Sequence, residues 1–156
     1  MLYFEDMIPG NTIIGPNVVV ELQEMIEFAR KWDPLPPHTY EIMAQQPFGT
    51  LTAPSIYILA LKQRLIHQLD EKQAVIASLG YEEVRFHKAV HPTDCLTLKL
   101  EWIKRRLSKS KKDRGIVTVR FSLLNQNQVV VMSHLDSILV RCKETAINRG
   151  DCHLYI

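Results

Sequence analysis

Two hydrophobic periods divide the chain, predicting helices in its first half and strands in its second half. Apolar residues recur at helical spacing over residues 22–32, and a longer helical pattern runs from Ala53 to about Ile76. From residue 84 onward the period becomes two, which is typical of half-buried strands. The alternating segments are 84–90, 96–103, 116–123, 129–131 and 135–140. Short turns between them predict an antiparallel meander.

The longer helical pattern predicts a central helix. Residues 56–61 are apolar on every side, which indicates a helix that is buried on most of its faces. Thr52 is expected to cap its start, with Pro54 in the first turn, where its missing N–H costs nothing. One buried helix before a meander predicts an α+β layer architecture.

The other N-terminal elements are shorter. The β-branched run over residues 11–20 predicts an edge strand bent at Gly15-Pro16, because proline cannot donate to a sheet ladder. The prolines after Asp33 end the helix that starts near Leu22. A short helix over residues 39–45 and a turn at Pro47-Phe48-Gly49 complete the prediction.

At 156 residues the chain has the length of one domain. Its 46% hydrophobic and 23% charged residues are typical of a globular protein and exclude a disordered chain or a coiled coil. No apolar stretch reaches the ~18 residues of a membrane span, and the acidic N-terminus lacks the basic start of a signal peptide. Three distant cysteines predict reduced thiols in a cytoplasmic protein, and the net charge of +2 gives no reason to expect a nucleic-acid or membrane partner.

The segment from Asp33 to His38 is the strongest candidate for chemistry. A helix ends at a carboxylate, three prolines stiffen the loop, and a histidine follows. An aspartate and a histidine held rigidly around one water can act as general acid and base. The alternative is that Asp33 ends one element and His38 is a loop histidine without a chemical role.

A second candidate is the start of the central helix. A buried helix N-terminus has free N–H groups and a positive dipole end, which can bind the oxygen of a polarised carbonyl. Pro54 has no N–H, but Ala53 and Ser55 do. The alternative is an ordinary helix start.

The remaining charged and titratable groups carry weaker signals. The basic run over residues 104–114 is either a solvated hairpin turn or a phosphate contact. Five histidines are interpreted as structural or surface residues, because none has a partner at metal-binding spacing: His67, His87, His91, His134 and His153. The sequence predicts no metal site.

Taken in order, several segments resemble the MaoC-like acyl dehydratases, which are (R)-specific enoyl-CoA hydratases of the hotdog fold. The segment Asp33–His38 is similar to the family's pattern of Asp, two residues, Pro, one residue and His. Phe48-Gly49 followed by Ala53-Pro54-Ser55 resembles the family's FGG-x-x-A-x-G start of the hotdog helix. Weaker likenesses cover residues 3–10, 26–29, 84–86, 90–94 and 113–117.

The resemblance implies an α+β protein with a single hotdog fold. An antiparallel β-sheet would wrap around one long central helix, with an N-terminal overhanging helical segment. The hotdog domain would cover residues 1–143, and residues 144–156 would form a polar C-terminal tail. The resemblance further implies an acyl-CoA or acyl-carrier thioester as substrate, no metal or other cofactor, and a homodimer or higher homo-oligomer.

The same resemblance implies roles for individual residues. Asp33 and His38 would be catalytic, holding the water that adds across the double bond of a trans-2-enoyl thioester. In reverse, the enzyme would dehydrate a 3-hydroxyacyl thioester. The Ser55 N–H would bind the thioester carbonyl. The other predicted substrate-binding residues are Ala53, Phe48 and Gly49.

Three positions depart from the family's pattern and define the alternatives. Leu35 stands where a polar residue is usual, Pro54 where a small residue or histidine is usual, and Ser55 where glycine is usual. They support the alternative of a catalytically impaired hotdog protein that binds acyl-CoA without turnover. Thioester hydrolysis is a third hypothesis, disfavoured because the predicted helix has no acidic residue before Asp70.

Overall fold

The structure, a computed structural model, describes residues 1–39 and 49–144. Its elements in chain order are a 3₁₀ turn Phe4–Asp6, β1 Thr12–Val19, α1 Leu22–Trp32, α2 Pro36–Thr39, α3 Ser55–His67, β2 Val75–Phe86, β3 Cys95–Leu107, β4 Arg114–Leu124 and β5 Val130–Arg141. The helix predicted over 39–45, the predicted turn residues Pro47 and Phe48, and nearly all of the predicted tail lie outside the described residues.

The five strands form one antiparallel sheet in the order β1-β3-β4-β5-β2. The predicted meander is confirmed for β3, β4 and β5, which follow one another in space as they do in sequence. It is wrong for β2, which pairs with β5 at the far edge of the sheet. The two short segments predicted over 129–131 and 135–140 are one continuous strand, β5.

β1 is an edge strand with a bend, as predicted. Its pairing with β3 is irregular between Ile14 and Asn17, on either side of Gly15-Pro16. Space favours glycine here, because a Cβ on Gly15 would lie 3.0 Å from a Leu69 methyl group, which would have to shift. The bend lets β1 pass close to the chain that leaves the central helix.

The central helix, α3, is shorter than predicted. It ends at His67 rather than near Ile76, and the prediction for the last nine of these residues is wrong. The apolar residues that follow belong to the sheet: the Ala74 N–H donates to the Leu2 carbonyl, and Val75 pairs with Val140. β2 therefore begins well before residue 84.

The N-terminus of α3 also differs from the prediction. Pro54 is the residue that precedes the first turn, and no side chain of residues 1–39 or 49–144 caps the helix. The expected cap, Thr52, instead places its hydroxyl 3.4 Å from the His38 ring. The first-turn N–H groups are therefore not covered by a capping side chain.

The core lies between the sheet and one face of α3. Four apolar side chains of the helix are buried against the sheet: Tyr57, Ile58, Leu61 and Leu65. Each such side chain contributes about 1.5–3 kcal/mol when it leaves water. The prediction of burial on most sides is only partly right, because Ile56 and Ala60 remain exposed in the single chain.

α1 lies against α3 and is tied to it by a carboxylate. Glu24 accepts hydrogen bonds from the Tyr57 hydroxyl and the Arg64 guanidinium, both at 2.8 Å. Burial and this hydrogen bond raise the pKa of Tyr57. Because Asp33 directly follows α1, these contacts fix where that carboxylate stands relative to the start of α3.

Candidate active site

Asp33 and His38 lie close together although they come from different elements. Asp33 ends α1, its N–H bonded to the Ala29 carbonyl at 2.8 Å, and His38 lies in α2. The distance from Asp33 Oδ2 to His38 Nε2 is 3.8 Å. Both side chains are partly accessible, at 30% for Asp33 and 16% for His38. The structure therefore brings together the two residues predicted to be catalytic.

The orientation of the His38 ring follows from its second nitrogen. Nδ1 lies 2.7 Å from the Thr52 carbonyl oxygen, which can only accept. We therefore assign the proton of the neutral ring to Nδ1, which leaves the lone pair of Nε2 facing Asp33. At 3.8 Å the two groups are too far apart for a direct hydrogen bond, and the gap suits one water bonded to both.

The start of α3 offers one N–H group beside this pair. The Ser55 N–H has no acceptor among the described residues. Ala53 differs: its N–H donates to the Val90 carbonyl at 2.8 Å, so the expectation that it is free for a ligand is wrong. With Pro54 lacking an N–H, Ser55 presents the first available donor of the helix, at its positive dipole end.

These groups share one open cleft of about 430 Å³. Its lining includes Asp33, Leu35 and His38, and residues 86–90. Ala53, Ser55 and Ile58 also line it. Two predicted substrate-binding residues are not placed in the cleft: Gly49 is exposed and outside the lining, and Phe48 lies outside the described residues.

Sequence reasoning missed several residues of this cleft. The alternating pattern over 84–90 predicts a strand, but β2 ends at Phe86, and the residues after it line the cleft. The His91 ring lies 3.0 Å from the Leu51 carbonyl oxygen. The next carbonyl along the chain, that of Thr52, is the one bonded to His38. The signal available in the sequence was His91-Pro92, which marks where a strand cannot continue.

A second polar cluster lies under the other half of α3. His134, predicted to be structural or on the surface, is buried between the rings of Tyr81 and Phe121. Burial and the nearby Lys62 ammonium lower the pKa of His134. Lys62 is itself only 1% exposed, and burial lowers its pKa to about 8.

The other candidate features stay apart from the cleft. The basic run covers the last residues of β3, the turn after it and the first residue of β4, whereas the cleft lies near the other end of β3. Over residues 1–39 and 49–144, no group of three or more His, Cys, Asp or Glu side chains is placed to hold a metal ion. In the same ranges, no helix combines the length and hydropathy needed to span a membrane.

Comparison with known proteins finds its matches among solved structures. No family model and no curated protein sequence matches the chain. A MaoC-like dehydratase from Rhodospirillum rubrum is 29% identical, with a TM-score of 0.86 over 92% of this chain and 99% of that one. A monoamine oxidase regulatory protein from Archaeoglobus is 26% identical, with a TM-score of 0.80 over 91% of this chain and 95% of that one.

The chain has the hotdog fold of the MaoC-like dehydratases. An R-hydratase from Pseudomonas aeruginosa shares this fold at 20% identity, with a TM-score of 0.71 over 91% of this chain and 86% of that one. The predicted resemblance and the predicted α+β hotdog architecture are thereby confirmed. The roles predicted for individual residues of this chain remain predictions.

Proposed function

We propose that this MaoC-like chain is a hydratase or dehydratase, and that its substrates are 2-enoyl thioesters or, in reverse, 3-hydroxyacyl thioesters. The observation that carries the proposal is the pair formed by His38 Nε2 and Asp33 Oδ2, 3.8 Å apart, beside a Ser55 N–H that has no acceptor in the described part of the chain. Neighbours with the names MaoC-like dehydratase and R-hydratase support the same class of reaction.

In the proposed reaction each group has one task. A water bonded to Asp33 and His38 loses a proton to His38 Nε2 while its oxygen bonds to C3 of the enoyl group. The electrons of the C2–C3 double bond move toward the thioester carbonyl, whose oxygen accepts from the Ser55 N–H. The proton then passes to C2. Water alone balances the reaction, so we propose that no metal or redox cofactor takes part.

The test is turnover of a panel of trans-2-enoyl-CoA esters, followed by loss of the enoyl absorbance. We expect His38→Ala and Asp33→Asn each to lower kcat by about 10²–10⁴-fold, the range for a lost acid–base group. Asp70→Asn, a carboxylate beyond the other end of α3, is the matched control and should keep full activity. Thermal unfolding would show that each variant is folded.

The outcomes separate the proposal from its alternative. Full activity of either site variant would refute the assigned mechanism. Saturable binding of acyl-CoA without turnover on any ester would support the impaired, binding-only protein. Release of free thiol from acyl-CoA would indicate thioester hydrolysis instead.

We also propose that two copies pair through β2. This edge strand is exposed at eleven of its twelve positions, including both of its faces. Its exposed apolar side chains include Leu79, Tyr81 and Phe86. An uncovered apolar edge of this length is a template for pairing with another strand. Light scattering should show a dimer, and Leu79→Lys should shift it toward the monomer; a monomeric wild-type protein would refute the pairing.

A further inference from the structure

A second cavity, of about 380 Å³, lies along α3 and β2, two elements that also line part of the candidate active-site cleft. On α3, Ile58 lines the cleft and Gln63 lines the cavity. On β2, Phe86 lines the cleft and Tyr81 lines the cavity. The order along the helix is therefore the reverse of the order along the strand. Helix and strand thus form two sides of one groove, with the reactive pair near one end and the cavity farther along.

An ammonium group without a contacting carboxylate lies beside this cavity. Lys62 is 1% exposed, and its Nζ donates to the Tyr81 hydroxyl and to Gln63 Oε1, each at 3.1 Å. Within the described ranges, no carboxylate oxygen lies within 4.0 Å of it. An ammonium has three protons to donate, and burying it without an anion is costly. The rings of Tyr81 and Phe121, 4.6 and 5.4 Å from Nζ, and the nearby charge of Asp136 offset part of this cost.

The Tyr81 hydroxyl connects the buried Lys62 ammonium to the wall of the cavity. Because the hydroxyl accepts from Lys62, its own proton is left to donate, and Tyr81 lines the cavity. Burial and the nearby Asp136 raise the pKa of Tyr81, which keeps the hydroxyl protonated as a donor. Gln73, which also lines the cavity, has a buried Nε2 without an acceptor among the described residues. The cavity thus has donors that lack acceptors.

The charges around the cavity favour an anion. Asp136 is the carboxylate of the lining, and its Oδ1 accepts from the Ser78 hydroxyl at 2.7 Å. Two positive charges, those of Lys62 and of Lys72 at the rim, outnumber this one negative charge. His134, which stacks on Tyr81, has a pKa lowered by burial and adds no positive charge near neutral pH.

We infer that this cavity binds a carboxylate at the far end of the acyl chain, so that the preferred substrates are 2-enoyl thioesters of dicarboxylic acids. The inference rests on the proposed hydratase function and names its substrate class. Lys62 lies seven positions after Ser55, which is about 10 Å along the helix axis. An acyl chain of roughly eight carbons covers that distance.

The test compares two enoyl-CoA esters of equal length, one ending in a methyl group and one in a carboxylate. We expect kcat/KM of the wild type to be at least about tenfold higher for the carboxylate ester, as for a hydrogen bond to a charged group. Tyr81→Phe, which removes only the hydroxyl, should raise KM for the carboxylate ester about tenfold and leave the methyl ester unchanged. Lys62→Met should act in the same direction.

A purely structural role would change both esters alike. Equal wild-type turnover of the two esters, or equal losses in Tyr81→Phe, would overturn the inference and leave the hydratase proposal intact. Calorimetry with the saturated acyl-CoA pair tests the cavity without turnover. Tighter binding of the carboxylate form, lost in Tyr81→Phe, would support the inference even if no ester is hydrated. Equal binding of the two forms would refute it.

Discussion

The two ends of the groove beside α3 hold polar groups in opposite ways. At the start of the helix, Asp33 and His38 are partly open to water and lie on short segments stiffened by prolines. Farther along, Lys62 and His134 are almost completely buried, on the central helix and on an inner strand. The first arrangement suits groups that must exchange protons with a water. The second arrangement suits groups that keep fixed positions and hydrogen bonds away from water.

The largest effect is expected on turnover, when the substitutions of Asp33 and His38 are combined. If Asp33 and His38 hold one water together, the double variant Asp33→Asn/His38→Ala should be no slower than the worse single variant. Its kcat should then be lower than that of the wild type by about 10²–10⁴-fold. Turnover of trans-2-enoyl-CoA by the four proteins measures the coupling. Losses that multiply would show that the two residues act independently.

At the buried end we expect a large effect on stability instead. Burial lowers the pKa of Lys62 to about 8 from its ordinary 10.5, so the charged form destabilises the folded chain. Lys62→Met fills a similar volume without charge and should raise the free energy of unfolding by about 2 kcal/mol at pH 7. Denaturant unfolding of both proteins measures this difference. Asp33→Asn, at the open end, is the comparison and should change stability far less.

The sign of the pH dependence follows from the same pKa. Between pH 8 and 10 the unfolded chain binds more protons at Lys62 than the folded chain does, so wild-type stability should rise with pH. The slope is at most about 1.4 kcal/mol per pH unit. The advantage of Lys62→Met should therefore shrink from pH 7 to pH 9.5. An advantage that is constant over this range would contradict the assignment of the charge to Lys62.

The smallest effect is expected at the mouth of the cleft. Leu35 lines it and is 55% exposed, so Leu35→Ala should change the free energy of unfolding by less than about 0.5 kcal/mol. Its effect should appear in KM for the enoyl ester, because the side chain bounds the cleft. A large loss of stability would show that Leu35 packs more tightly than its exposure indicates.

The sequence predicts the open end of the groove better than the buried end. Asp33 and His38 lie five residues apart, so local spacing and proline stiffness are enough to bring them together. Lys62, Tyr81 and Asp136 come from three separate elements, and they become neighbours only when β2 pairs with β5 and α3 packs on the sheet. No local pattern encodes that pairing.

The errors in secondary structure have a similar cause. Residues 74–77 are apolar without alternation, so the helical pattern extends after His67 to about Ile76. Their true state is decided by distant partners, Leu2 and the end of β5. β3, β4 and β5 alternate clearly because one of their faces is covered, and these were predicted correctly in type and order.

The bend at Gly15-Pro16 limits how far an assembly of this chain can grow. The two edges of the sheet are unlike: β2 is long and uncovered, whereas β1 is short and interrupted by a proline that cannot donate. If two copies join through β2, the outer edge of the combined sheet is β1 on both sides. Neither outer edge then offers a regular ladder to a third copy, so association closes at the pair instead of propagating into a fibre.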